Sequence, residues 1–257
     1  MRRYVLIIFV LLGAGFLTFF ARSALNQPDP ILLSAAKAVP VPGQPDVLHI
    51  YLTMENGASP NRLLTAASVE AAQARLVGAV QGDIVLPAHS SPSLSSDGVY
   101  LEVSGVEGPL EEGRLVPISL EFAPSGRVAT RALIGAPADP HAMHVMQNPD
   151  GHPQSDPVPE ISMVVSPNAD DGWDVTLQTA HFTFAPEVPD PIHVPGEGHG
   201  HLYLNGLKLQ RMYSDTASIG ALPPGRHHVE VTLNTNTHQE YRSETGPVVA
   251  RAIIEVE

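Results

Sequence analysis

The chain has 257 residues, 14 Lys and Arg against 27 Asp and Glu, and a formal charge of −13. An acidic surface of that size repels phosphate backbones and excludes nucleic acid as a partner. The absence of Cys excludes disulfides, thiolate metal sites, iron–sulfur clusters and Cys nucleophiles, so any soft-metal site must use His nitrogen and Met sulfur.

In chain order, Arg2 and Arg3 precede an apolar run from Tyr4 to Ala21, and Arg22 follows. Positive residues, an apolar stretch and then small residues make an export signal. Its length is also close to the ~17–25 residues that span a bilayer, so residues 1–23 are expected to form an apolar helix. This helix is either kept as a membrane anchor or removed as a signal peptide. The rest of the chain then lies outside the cytoplasm, on the periplasmic side of a bacterial inner membrane or free in the periplasm.

Residues 24–46 carry Pro28, Pro30, Pro40, Pro42 and Pro45 and read as a tether. From Val47 onward, short apolar runs alternate with turn residues, and no amphipathic helix is visible. Val47 to Met54 is strand-like and closes at Asn56-Gly57. Arg75 to Val80 and Val99 to Val103 are further strands. Ile118, Leu120 and Phe122 alternate with Ser119 and Glu121, and Arg127 to Ile134 closes this segment, 47–136. Residues 137–160 form a linker rich in Pro, Asp and Gly. In the last segment, 161–257, about seven short strands and an Asn205-Gly206 hairpin signal point to an antiparallel sandwich of immunoglobulin-like type. The fold class expected is therefore all-β, with two antiparallel β-sandwiches after the N-terminal helix.

Three pieces of the first segment carry a resemblance. They are Tyr51-Leu52-Thr53 with Asn56-Gly57 and Arg62-Leu63; Gly98-Val99-Tyr100-Leu101-Glu102-Val103; and Pro109-Leu110-Glu111-Glu112-Gly113 followed by Val116 to Phe122 and Gly126. Together they resemble the PCu(A)C family of periplasmic copper chaperones over about one third of the chain. The resemblance implies a cupredoxin-like sandwich for the first domain. It also implies a Cu(I) site of two His and two Met, but Tyr100 and Glu102 stand where one His and Met pair belongs, and Val77 stands where another His belongs. The first domain is expected to keep the fold without this site. His89 reads as a solvated loop residue.

Ten of the twelve His lie beyond residue 140. One group is His141, Met143, His144 and Met146, where thioethers suit Cu(I) and imidazoles suit both copper states. Its bland reading is a polar linker. The second group is His193, His199 and His201, with His238 at the end of a later strand. Strand alternation puts His199, His201 and Tyr203 on one face, so two imidazoles can share an ion. Its bland reading is a hairpin edge with solvated rings. His181, His227 and His228 are weaker candidates; His227 and His228 are adjacent on a strand and face opposite sides, so at most one of them can join a shared site. The run His193 to Tyr203, with Arg211-Met212-Tyr213 and Leu222-Pro223-Pro224-Gly225, resembles a little-characterised domain of bacterial envelope proteins sometimes encoded near copper genes.

The expected function is copper binding, as Cu+ or Cu2+, by a chaperone or buffer rather than an enzyme. Partners would be copper donor and acceptor proteins, including those of the cytochrome oxidase assembly route. Two alternatives stand beside it. A metal-dependent hydrolase has His199-x-His201 in its favour but no nucleophile elbow and no helical His-Glu-x-x-His. A β-sandwich interaction module without metal would fit the depleted first domain.

Overall fold

The computed structural model describes residues 31–57, 59–68, 73–79, 83–135, 155–189 and 191–257. The expected N-terminal helix and the His141, Met143, His144 and Met146 group lie outside these residues. No helix among the described residues is long and apolar enough to cross a membrane.

The described chain is all-β. Strands β1 (Leu32–Pro40), β2 (Val47–Glu55), β3 (Asn61–Ser68), β4 (Gln73–Val77), β5 (Ile84–Leu86), β6 (Ser93–Leu94), β7 (Tyr100–Ser104), β8 (Leu115–Ala123) and β9 (Gly126–Ile134) make its first half. The second half holds β10 (Glu160–Pro167), β11 (Trp173–Ala180), β12 (Thr183–Phe184), β13 (Glu197–Leu204), β14 (Leu207–Met212) and β15 (Thr216–Ile219). It ends with β16 (Gly225–Thr235), β17 (Arg242–Ser243), β18 (Gly246–Pro247) and β19 (Val249–Val256).

The pleat explains the burial. In β2, Leu48, Ile50, Leu52 and Met54 are at most 2% exposed while His49, Tyr51 and Thr53 between them are partly exposed. In β8, Val116, Ile118, Leu120 and Phe122 do the same, as the alternation in the sequence predicts. These residues form one core with Leu101, Val103 and Ile134. A second core gathers Val175 and Leu177 of β11, Ile219 of β15, Leu202 and Leu204 of β13, Val229 and Val231 of β16 and Ile254 of β19. In it, the three-stranded sheet β10-β11-β15 covers the sheet β19-β16-β13-β14, the two-layer solution for a sheet with one apolar face.

Residues 32–40, read from their flanking prolines as part of a tether, instead form β1. It pairs antiparallel with β2 and parallel with β9. Nine residues run from Leu32 to Pro40 with a Pro only at the last place, where the pairing ends. Ala38 is fully buried.

The two halves share one continuous 14-stranded sheet, because Lys208 of β14 pairs with Ser93 of β6. Other hydrogen bonds stitch the same junction. The Val99 amide donates to the Gly206 carbonyl at 3.1 Å and the Ala88 amide to the Ala221 carbonyl at 3.0 Å. The Asn205 amide group donates to the Asp83 carbonyl at 2.7 Å.

Candidate metal centre

Strand β13 is buried along its length from Gly198 to Leu204 because both of its faces are covered. Its even-numbered face, Gly200, Leu202 and Leu204, lies against the second core. Its odd-numbered face carries His199 and His201, each 3% exposed, and Tyr203, 6% exposed. Between β14 and β16, the strand cannot shift register without exchanging these faces. Small residues let the neighbours close in: a Cβ on Gly200 would meet Met212 Cβ and Val231 Cγ1 at 3.3 Å.

The third imidazole comes from the turn after β16. The Thr235 amide donates to the Gln239 carbonyl at 2.8 Å and the His238 amide donates back to the Thr235 carbonyl at 3.0 Å. His238 takes a φ of 65°, the left-handed conformation that reverses the chain and returns its ring towards β13. His199 Nε2 then lies 2.9 Å from His201 Nε2 and 3.2 Å from His238 Nδ1. The His199 and His238 rings meet edge to face, with centroids 4.8 Å apart.

One nitrogen from each of His199, His201 and His238 lies within 4.8 Å of the others. Two nitrogens bound to one ion at ~2.0–2.1 Å stand about 2.9 Å apart at a right angle and about 3.4 Å apart at the tetrahedral angle. The 2.9 Å and 3.2 Å separations match edges of such a polyhedron. Two Nε2 atoms at 2.9 Å must also share either a proton or a cation. A neutral ring's own N–H can bridge one such gap, but His199 Nε2 faces two ring nitrogens and a metal ion satisfies all three lone pairs at once. The residues present therefore fit a metal ion.

The electrostatics keep the ligands neutral. Burial, with His201, His238, Arg211 and Lys208 adding to it, pushes the His199 ring down to about 3 from 6.5. Burial lowers His201 too, opposed by its hydrogen bond to Asp97. Burial lowers His238, with Arg211 adding to it and Glu187 opposing. Neutral imidazole is the form that binds metal.

A shell of polar groups surrounds the three rings. His201 Nδ1 lies 2.9 Å from Asp97 Oδ2 and 3.2 Å from the Tyr203 hydroxyl. The Tyr203 hydroxyl donates to Asp97 Oδ2 at 3.2 Å, and the Lys208 ammonium donates to it at 2.6 Å. On the other side the Tyr213 ring centroid stands 5.6 Å from that of His199. The Tyr213 hydroxyl and the Arg211 guanidinium both donate to Glu187, at 2.8 and 2.7 Å. None of Asp97, Lys208 and Glu187 is apparent from the sequence as a site residue. Arg211 and Tyr213 do carry a signal, as part of the second resemblance.

His193 does not join the cluster. It is exposed beyond the turn at Gly196, with its ring centroid 6.4 Å from that of Tyr241. The turn leads the chain into β13 without folding His193 back, so of the four histidines expected to converge, His199, His201 and His238 do and His193 does not. His181 is exposed, and buried His227 meets the Pro223 carbonyl through Nε2 at 2.8 Å. In the first half, the places that the resemblance gives to copper ligands hold an ion-pair cluster. His49 Nε2 is 3.4 Å from Glu102 Oε2, Arg75 is 2.7 Å from Glu102 Oε1, and the rings of His49 and Tyr100 are 4.6 Å apart. His89 is exposed.

No protein-family model and no curated protein matches the sequence. Solved structures do. The apo PCuAC domain from PmoF1 is 22% identical with a TM-score of 0.39, over 43% of this chain and 97% of that one. The copper-bound PCuAC domain from PmoF2 is 21% identical with a TM-score of 0.38, over 43% of this chain and 96% of that one. The apo PCuAC domain of PmoF2 is 19% identical with a TM-score of 0.37, over 44% of this chain and 94% of that one.

Proposed function

We propose that this chain binds copper outside the cytoplasm and carries or buffers it, with His199, His201 and His238 as ligands. The observation that supports this is the convergence of three neutral imidazoles on one point, two buried on β13 and one half-buried in the turn after β16. Imidazole suits copper, zinc and nickel, and among divalent first-row ions a nitrogen site holds Cu(II) most tightly. A soft donor for Cu(I) would come from Met143 and Met146, whose segment also offers His141 and His144.

Carriage fits better than turnover. A catalytic metal needs a positioned base. Asp97 already accepts from His201, Tyr203 and Lys208, so it is not free to take a proton from a bound water. The export-type N-terminus supports a place at the periplasmic side of the inner membrane, anchored or released. Copper donors and acceptors, including those serving cytochrome oxidase assembly, are the corresponding partners.

Titration of the purified full-length chain with Cu(II), and with Cu(I) under reductant, tests the reading. One equivalent should bind tightly through nitrogen ligands in X-ray absorption. His199→Ala with His201→Ala should abolish that uptake, and zinc should be displaced by an equal concentration of Cu(II). Equal uptake by the wild type and the double variant would remove the assignment.

A further inference from the structure

Asp97 belongs to the first half of the chain, yet its side chain ends in the second half's histidine cluster. Its loop is tightly held. The Ser95 amide donates to the Val99 carbonyl at 2.8 Å and the Gly98 amide to the Ser95 carbonyl at 3.1 Å. The Val99 amide then docks on the Gly206 carbonyl at the tip of the β13–β14 hairpin, at 3.1 Å. The approach is close enough that a Cβ on residue 98 would stand 2.9 Å from that same carbonyl oxygen.

The geometry around His201 fixes its tautomer. Asp97 Oδ2 lies 2.9 Å from Nδ1 and also accepts from Tyr203 and Lys208. A carboxylate can only accept, so Nδ1 carries the hydrogen; the Lys208 ammonium stands 3.1 Å from Nδ1 and 3.3 Å from Nε2, near-equal distances that aim it along neither lone pair, and its short bond goes to Asp97. Nε2 is left with its lone pair, and it is Nε2 that faces His199 at 2.9 Å.

We propose that Asp97 is the positioning residue of the metal centre: it orients His201 so that Nε2 faces the ion, and thereby makes a site in the second half of the chain depend on a loop of the first. This rests on the three-histidine reading above. Metal-bound imidazoles characteristically donate their other N–H to a carboxylate, which fixes the ring and raises its basicity. Here that carboxylate is supplied across the junction between the two cores. Lys208 balances its charge, so the pair brings no net negative charge to the ion.

The test uses the full-length chain, with copper affinity read by competition against a chromophoric chelator. Asp97→Asn keeps the volume and removes the charge, and its affinity for Cu(II) should fall about 10–100-fold, the usual cost of losing such a partner. Its Cu(II) electron paramagnetic resonance spectrum should change as well, which a loss of general stability would not produce. Asp97→Asn also leaves the Lys208 ammonium uncompensated. The double variant Asp97→Asn, Lys208→Met separates the two effects: it should stay weak if orientation matters. Recovery of wild-type affinity in the double variant would overturn the proposal in favour of simple charge repulsion. Wild-type affinity and spectrum in Asp97→Asn would overturn it too, while His199→Ala still losing copper would leave the three-histidine reading standing. Nitrogen-15 spectra of the wild type loaded with diamagnetic Cu(I) need no variant. They should show His201 protonated at Nδ1 and bound through Nε2, and binding through Nδ1 would sink the proposal.

Discussion

His199 is held far from its ordinary protonation range, down to about 3, by burial first and by neighbouring cations and imidazoles second. In the unfolded chain the same ring keeps a value near 6.5. Between those two values the unfolded state binds a proton that the folded state refuses, so acidification favours unfolding. Stability from this group is complete above about 6.5 and is lost progressively as pH falls towards about 3. His201 and His238, both lowered, act in the same direction. The thermal midpoint of the metal-free chain should therefore drop between pH 7 and pH 4. His199→Gln should make that drop shallower, because one of three titrating rings is gone. Superimposable pH profiles for the two proteins would show that the ring is not shielded as described. Residue by residue, the sequence points to His199, His201 and His238 because imidazoles two apart on a strand share a face and His238 ends a later strand. It misplaces His193, since nothing in Pro195-Gly196 says whether the turn folds back. It is silent on Asp97, whose role depends on a contact more than a hundred residues away in the chain.

At the scale of elements, β13 depends on how closely β16 can lie beside it. A Cβ on Gly198 would stand 1.8 Å from the Asn234 carbonyl oxygen, which is backbone and cannot rotate away. Gly198 pairs with Thr235, and the neighbouring pair is His199 with Asn234, so any separation there also moves the His238 turn away from His199. Gly198→Ala should cost at least ~1–3 kcal/mol of stability, the usual range for overpacking, and weaken copper binding along with it. Denaturant unfolding and the chelator competition read the two effects, and a variant that kept both wild-type values would show that the strands part without consequence. The hairpin that follows is legible in the sequence for a related reason. Asn205 and Gly206 have φ values of 51° and 86°, the paired left-handed conformations of a tight hairpin turn. Strand β1 is not legible in the same way. Leu32-Leu33-Ser34-Ala35-Ala36-Lys37-Ala38 lacks β-branched residues and clear alternation, and prolines flank it, so local sequence reads as a tether. Pairing with β2 and β9 overrides that preference.

Across the whole molecule, the two cores are linked through one sheet and through polar contacts, one of which reaches the three-histidine cluster. Arg62 of β3 donates to the Pro224 carbonyl at 2.7 Å, the Asn205 side chain bridges to Asp83, and Asp97 reaches His201 and Lys208. A ligand that binds only when His199, His201 and His238 are assembled stabilises whatever assembly they require. If Asp97 is part of that assembly, the first core must be folded and docked for tight binding, and copper will then stabilise both halves together. At a free copper concentration one hundred times the dissociation constant, the gain is ~2.7 kcal/mol. For a folded unit of this size each kcal/mol raises the midpoint by about 2–4 °C, giving a shift of roughly 5–10 °C. Differential scanning calorimetry should show that shift in the whole unfolding endotherm. His199→Ala with His201→Ala should lose it entirely, and Asp97→Asn should keep it only for the second half, as a split endotherm. Should copper raise the midpoint of one half alone in the wild type, the junction would be a structural seam, and the site would belong to the second core by itself.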